Sequence, residues 1–342
     1  MNWVVWRQHR RQFFVMGIIL VLYAAVALPL GWHLWHLYRG AVAACGQATE
    51  TCVEVHLTVT HSAWSATPNP NQNDGTGLLA LLILAVPALL GVFLGVPLLA
   101  REYQAGTNLL VWTRSISRRA WLTDKLTWVL VATAGFAAAF TALTMWWSRA
   151  GDSLYLDRFA SPMFSIQGMA PIGYAVLAVA IGITLGAWLK RGLLAAGLTL
   201  GLVLALEITV AQVVRPHYLA PVTKNIVTTR LDAGVPSPGP DTWVLNGTIV
   251  NRQGAVLDWT HPPKACIVQA NSPPPQSFPV GGTQGSPPVS MPCLVAQGFH
   301  YRVTYQPASR YWDFQAVETA LYLAMTAAAL AVTYRLVLRR DA

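Results

Sequence analysis

The sequence predicts an all-α polytopic membrane protein: six transmembrane helices, both termini cytoplasmic, and a small extracellular domain, mainly β and loop, between helices 5 and 6. Three observations predict it. Of 342 residues, 54% are hydrophobic and only 11% charged, against roughly a quarter charged in an ordinary soluble domain. The apolar residues are gathered into runs instead of being dispersed at helical or strand periodicity. The basic residues recur at alternate junctions between those runs, the positive-inside pattern of short cytoplasmic loops.

A bilayer core of roughly 30 Å needs about 20 apolar residues in a helix, whose own hydrogen bonds satisfy every backbone group there. Six stretches meet that demand, at 13–37, 77–100, 126–147, 171–189, 193–214 and 314–336. The first lies in a segment 1–38, behind the basic residues Arg7, Arg10 and Arg11. Such a start, with Ala25 and Ala27 further on, also fits a cleaved signal peptide; the apolar run continues to Leu37, which suits an anchor better. An outer loop at 39–76 contains Cys45 and Cys52 and ends near Pro68-Asn69-Pro70. After the second span at 77–100 comes a basic loop, 101–125, with Arg101, Arg114, Arg118, Arg119 and Lys125. Residues 126–214 hold spans three to five, with an outer segment at 148–170 and Lys190 and Arg191 between the fourth and fifth. The last span and tail, 314–342, carry Arg335, Arg339 and Arg340. All these basic clusters fall on one side, so the net charge of +9 is accounted for by topology and does not require nucleic acid. Tryptophans agree, since indoles favour the headgroup boundary. Trp32, Trp35, Trp146, Trp147 and Trp312 mark the outer ends, and Trp3, Trp6, Trp121 and Trp188 the inner ones.

Residues 215–313 are too long for a connector and differ from the spans: strand-like runs at 242–250 and 256–259, then a Pro-rich stretch at 271–292. We read them as the extracellular domain. All four cysteines fall in outer segments, where thiols oxidise. Two local disulfides are expected, Cys45–Cys52 and Cys266–Cys293, with other pairings of the four open.

No phosphate-binding loop, nucleophile elbow or zinc-binding helix motif occurs, so the sequence predicts no enzyme activity, no cofactor and no metal site in this chain. His33 and His36 lie three apart, with His56 and His61 following, but no acidic residue completes a ligand set. The informative segment is 101–126, REYQAGTNLLVWTRSISRRAWLTDKL. Gly106 permits a turn, Ser117 can cap a short helix opening at Arg118, and Trp121 and Leu122 supply an interfacial apolar face. The plainer reading is that any loop between two spans is basic and aromatic.

This segment resembles the cytoplasmic loop of ATP-binding cassette (ABC) transporter permeases of the type-2 exporter class, particularly their actinobacterial members. Glu102, Gly106 and Thr107 match the Glu followed by Gly-Thr that ends the second span in that family. Ser117, Arg118 and Lys125 match the Ser-Arg and later Lys leading into the third, with Arg119 alongside. Residues 164–191 and 305–318 also look family-like; the segment 215–302 does not. The resemblance implies that these seven loop residues form a coupling element receiving the motion of a cytosolic ABC ATPase, which holds ATP and Mg. It further implies a second permease copy, a multi-pass place in the cell membrane of a bacterium, and export of a hydrophobic or amphiphilic compound. The rival readings are a cell-envelope sensor or scaffold whose outer domain binds a ligand or protein, and a membrane-embedded enzyme.

Ionisable residues inside spans are costly and often functional. Glu207, with Gln212 about a turn beyond, is a candidate contact for a cationic substrate or a proton; the plainer alternative is a structural carboxyl. Glu318 lies within a turn of the outer surface, where solvent or Arg310 accounts for it. Gly173, Gly182 and Gly186 in the fourth span and Gly192, Gly197 and Gly201 around the fifth are expected to let helices approach closely or to line a lateral path.

Overall fold

A computed structural model of the protein describes residues 2–45, 76–105, 117–152, 158–159, 163–227, 235–239, 241–267 and 289–339. The chain forms two compact units, one of Met1–Tyr218 with Trp312–Ala342 and the other of Leu219–Tyr311. Among the described residues six helices are long and apolar enough to cross a membrane: Arg10–Ala44, Ile83–Ala105, Arg118–Arg149, Ala170–Leu189, Gly192–His217 and Ala308–Leu338.

The first span belongs to α1 (Asn2–Ala44), which continues past Ala25 and Pro29 without a break. It lies along α4 (Arg118–Asp152), where Tyr23 stacks on Phe140 at 4.2 Å and its hydroxyl meets that of Thr144 at 2.9 Å. The second span joins α2 (Thr76–Leu90) and α3 (Val96–Ala105) through a π-helical segment, Gly91–Gly95. After a short α5 (Met163–Ile166), the fourth span is α6 (Ala170–Leu189), apolar all round and the most enclosed of the six. The fifth is α7 (Gly192–Thr209), extended by a π-helical turn, Val210–Val214. It runs on through His217, so Arg215 belongs to the membrane unit and does not open the inserted segment.

Two of the predicted glycine sites in α6 are packing sites. A Cβ on Gly91 would lie 2.5 Å from the Ala178 carbonyl oxygen, and one on Gly186 2.6 Å from that of Val96. A Cβ on Gly182 would meet the Gly91 carbonyl. Only hydrogen at these positions lets the π-helical part of the second span touch the α6 backbone. Close approach is not made at Gly197 and Gly201 of the fifth span. Gly197 and Gly201 face open space, because the stripe of α7 that turns inward is Ala195, Thr199, Val203 and Glu207. Trp147, near the end of the third span, turns into the bundle. It is buried among Ala27, Leu34 and neighbours of α1, whereas Trp146 next to it stays exposed.

The second unit holds an antiparallel sheet of order β1-β3-β2, formed by β1 (Val222–Ile226), β2 (Trp243–Val250) and β3 (His300–Gln306). Ile249, Tyr301 and Val303 turn to one face and build a core with Leu257, Val289, Met291 and Leu294, the period-2 burial of a one-sided sheet. A bulge between Val244 and Asn246 shifts the β2 register. Helix α8 (Met291–Ala296) closes that core, and Cys266 is joined to Cys293 by a disulfide with 5.4 Å between the Cα atoms. The run expected as a strand at 256–259 is not one. After the Asn251–Ala255 turn, Val256 makes a single bridge to Val250, and Asp258 then ends the run by accepting from the Thr260 N–H at 2.9 Å. The sixth span includes α9 (Tyr311–Arg339).

Candidate functional site

The two ends of the basic loop meet. Glu102, near the end of α3, and Lys125, two turns into α4, form an ion pair in which both side chains are largely withdrawn from solvent. Lys125 also lies 5.0 Å from the centre of the Trp121 ring. Burial is tolerable because each charge has its counter-charge. Ser117 does cap α4: its Oγ accepts from the Ala120 N–H at 3.3 Å. The helix it opens is not short, however, but continues as one helix into the third span, because no breaker separates Arg118 from the apolar run. Arg119 is exposed and Arg118 half-buried. Gly106 and Thr107 lie outside the described residues.

Two further contacts tie other elements to this end of the bundle. Lys190, in the left-handed conformation that ends α6, lies 4.9 Å from the centre of the Tyr103 ring. Thr123 bonds the hydroxyl of Tyr334 on α9 at 2.8 Å. The loop ends, the turn between the fourth and fifth spans and the last helix are thus in direct contact. The predicted loop residues consequently divide into a buried pair, Glu102 with Lys125, and the more accessible Ser117, Arg118 and Arg119.

Glu207 and Gln212 differ in their surroundings. Glu207 is 8% exposed, and among the described residues neither carboxylate oxygen has a hydrogen-bond partner. Gln212 is exposed, on the π-helical turn Val210–Val214.

A polar cluster that sequence reasoning missed joins the fourth, fifth and sixth spans. Arg215 donates from Nε to Glu318 Oε2 at 2.9 Å and from Nη2 to Oε1 at 2.8 Å. It also donates to Ser165 Oγ at 3.1 Å and lies 4.1 Å from the Phe164 ring centre. The Tyr174 hydroxyl donates to Glu318 Oε1. Glu318 is therefore paired with Arg215, not Arg310, which instead bonds the Ala220 carbonyl and Gln306. The residues lie 103 positions apart in the chain, so no local spacing signals the pair. Gln315, a turn earlier on α9, accepts from the N–H groups of Met169 and Ala170 at 2.9 and 2.8 Å and so caps α6 from another span.

His33 and His36 are exposed on α1, with the His36 ring against Trp32; His56 and His61 lie outside the described residues. So does Cys52, and with it the expected Cys45–Cys52 bridge. A family model described as ABC-2 membrane transporter related matches residues 17–215, from the first span to the end of the fifth and including the Glu102–Lys125 pair. No curated protein and no solved structure matches the chain.

Proposed function

We propose, from the premise that the chain belongs to the ABC-2 membrane transporter related family, that this multi-pass transporter component is the permease subunit of an ABC exporter. It moves a hydrophobic or amphiphilic compound across a bacterial cell membrane, with both termini cytoplasmic. ATP and Mg are handled by separate cytosolic ATPase subunits, and a second permease copy completes the path. The chain itself has no nucleotide-binding motif and hydrolyses ATP only through that partner.

The observation that carries this reading is the contact cluster around Glu102 and Lys125. A force on the loop at 101–125 reaches the second and third spans together through that ion pair. It reaches the α6–α7 turn through Lys190 and Tyr103, and α9 through Thr123 and Tyr334. Closure of an ATPase dimer against the loop then favours one of two bundle arrangements, and the accessible Ser117, Arg118 and Arg119 are the docking residues. Nucleotide supplies the bias between the two states through this contact.

Purification from the native cell in mild detergent, followed by mass spectrometry of what accompanies the chain, tests the reading. A stoichiometric ABC ATPase is expected with the natural protein and is lost on joint Arg118→Glu and Arg119→Glu substitution. If no ATPase accompanies the natural protein, the permease reading falls. The sensor or scaffold then stands in its place, supported by the separate core and disulfide of the second unit.

A further inference from the structure

Glu207 stands apart from Glu102 and Glu318, the paired carboxylates described above. Glu102 holds Lys125 and Glu318 holds Arg215, whereas both oxygens of Glu207 are buried without a donor among the described residues. It lies on the inward stripe of α7 between Val203 and Val210, all three buried. Arg215 is eight residues further along and is already engaged by Glu318, Ser165 and Phe164. The neighbour that feels the Glu207 charge is Tyr322 of the sixth span, 2% exposed, whose ring centre is 4.5 Å from that of Tyr174. Directly after Glu207 the helix passes into the π-helical turn Val210–Val214, an irregularity frequent at functional sites.

We propose that Glu207 is the anionic anchor of a binding site for a hydrophobic organic cation, with Tyr322 supplying the aromatic face of that site. This rests on the permease reading and names the substrate class.

An ionised carboxylate enclosed by apolar side chains is costly without a counter-charge, and in a span such a group is a functional candidate by default. A hydrophobic cation brings the missing charge and loses little hydration on entering. A neutral solute gains nothing from Glu207 that any apolar helix would not give, and an anion is repelled. A metal ion requires several converging oxygen or nitrogen ligands, and among the described residues no group of three such side chains converges. The tyrosine ring favours a cation over its face.

The test uses the purified full chain in nanodiscs, with tetraphenylphosphonium as the cation and triphenylphosphine oxide as its neutral counterpart, both by equilibrium dialysis. Saturable binding of the cation alone is expected. Glu207→Gln should weaken it by about tenfold or more, the loss of one charge contact in a dry site. Glu207→Asp should retain binding, and Tyr322→Leu should weaken it by about threefold. Labelling of Glu207 by dicyclohexylcarbodiimide should be slowed by the cation, a readout that remains if Glu207→Gln does not fold. No saturable binding to the natural chain, equal affinity in a folded Glu207→Gln protein, or labelling indifferent to the cation would each overturn the site. Failure here with an ATPase still co-purifying sinks only the cation site. Cation binding to a chain that no ATPase accompanies keeps the site and sinks the permease reading.

Discussion

Arg215 and Glu318 bring opposite charges together at 2% and 1% side-chain exposure, a setting in which either alone would be an unpaired buried ion. Arg215→Met or Glu318→Leu alone should therefore destabilise the membrane unit by about 3–5 kcal/mol, while the double apolar replacement costs far less. Thermal melting of the detergent-solubilised chain checks this, and additive single losses would contradict it. Tyr174→Phe removes one donor from the Glu318 carboxylate and should cost about 1–3 kcal/mol. In the second unit, the Thr260 hydroxyl, then the Thr260 N–H and His261, hold the exposed Asp258 carboxyl down at about 2, from an ordinary 3.8. Because the folded value is depressed, the turn is supported above pH about 4 and loses that support as pH falls towards about 2. Thr260→Val should return the Asp258 titration towards its ordinary range, as followed by NMR of the labelled chain.

At the scale of elements, the glycines of the second and fourth spans and those of the fifth predict opposite outcomes. Gly182→Ala drives a methyl group into the Gly91 carbonyl, so it should separate the two helices and lower the melting temperature. Gly197→Ala and Gly201→Ala meet nothing and should be neutral or gain up to about 1 kcal/mol of helix propensity each. The exposed α7 face also carries Leu193, Leu194 and Leu198, a smooth apolar surface of the kind on which helices associate in lipid. If the second permease copy packs there, Gly197→Leu will shift the purified protein from dimer to monomer in native mass spectrometry with its melting temperature unchanged.

At the scale of the whole molecule, the chain's two units are stabilised by different means, so they should fail separately. The membrane unit depends on backbone satisfaction within helices and on close packing in lipid. The second unit has a small core closed by a disulfide between residues 27 apart, and removing such a bridge from a small domain costs about 2–5 kcal/mol. Joint Cys266→Ser and Cys293→Ser substitution should make residues 219–311 sensitive to limited proteolysis while the spans stay intact. Cleavage spread over both units would show that their stabilities are linked.

What the sequence alone determined follows from the solvent. Runs of apolar residues as long as 193–214 have only the helix available in a bilayer core, so the six spans were legible before any packing was known. The family was legible too, in Glu102, Ser117, Arg118 and Lys125. The strand at 242–250 was visible in its own composition, whereas β3, which pairs with both neighbours, was not read out at all. Partnership was left to the tertiary structure. Hydropathy records which residues avoid water but not which helix faces which, since α6 and α7 are apolar almost all round. That is why Glu318 was matched with nearby Arg310 when its partner is Arg215, and why Gly197 and Gly201 looked like packing sites although α7 turns them outward. Lys125 read as a docking residue and is buried on Glu102. Only the folded chain, by bringing residues over 100 positions apart within hydrogen-bonding distance, decides which charges neutralise one another and, among the described residues, leaves Glu207 without a partner.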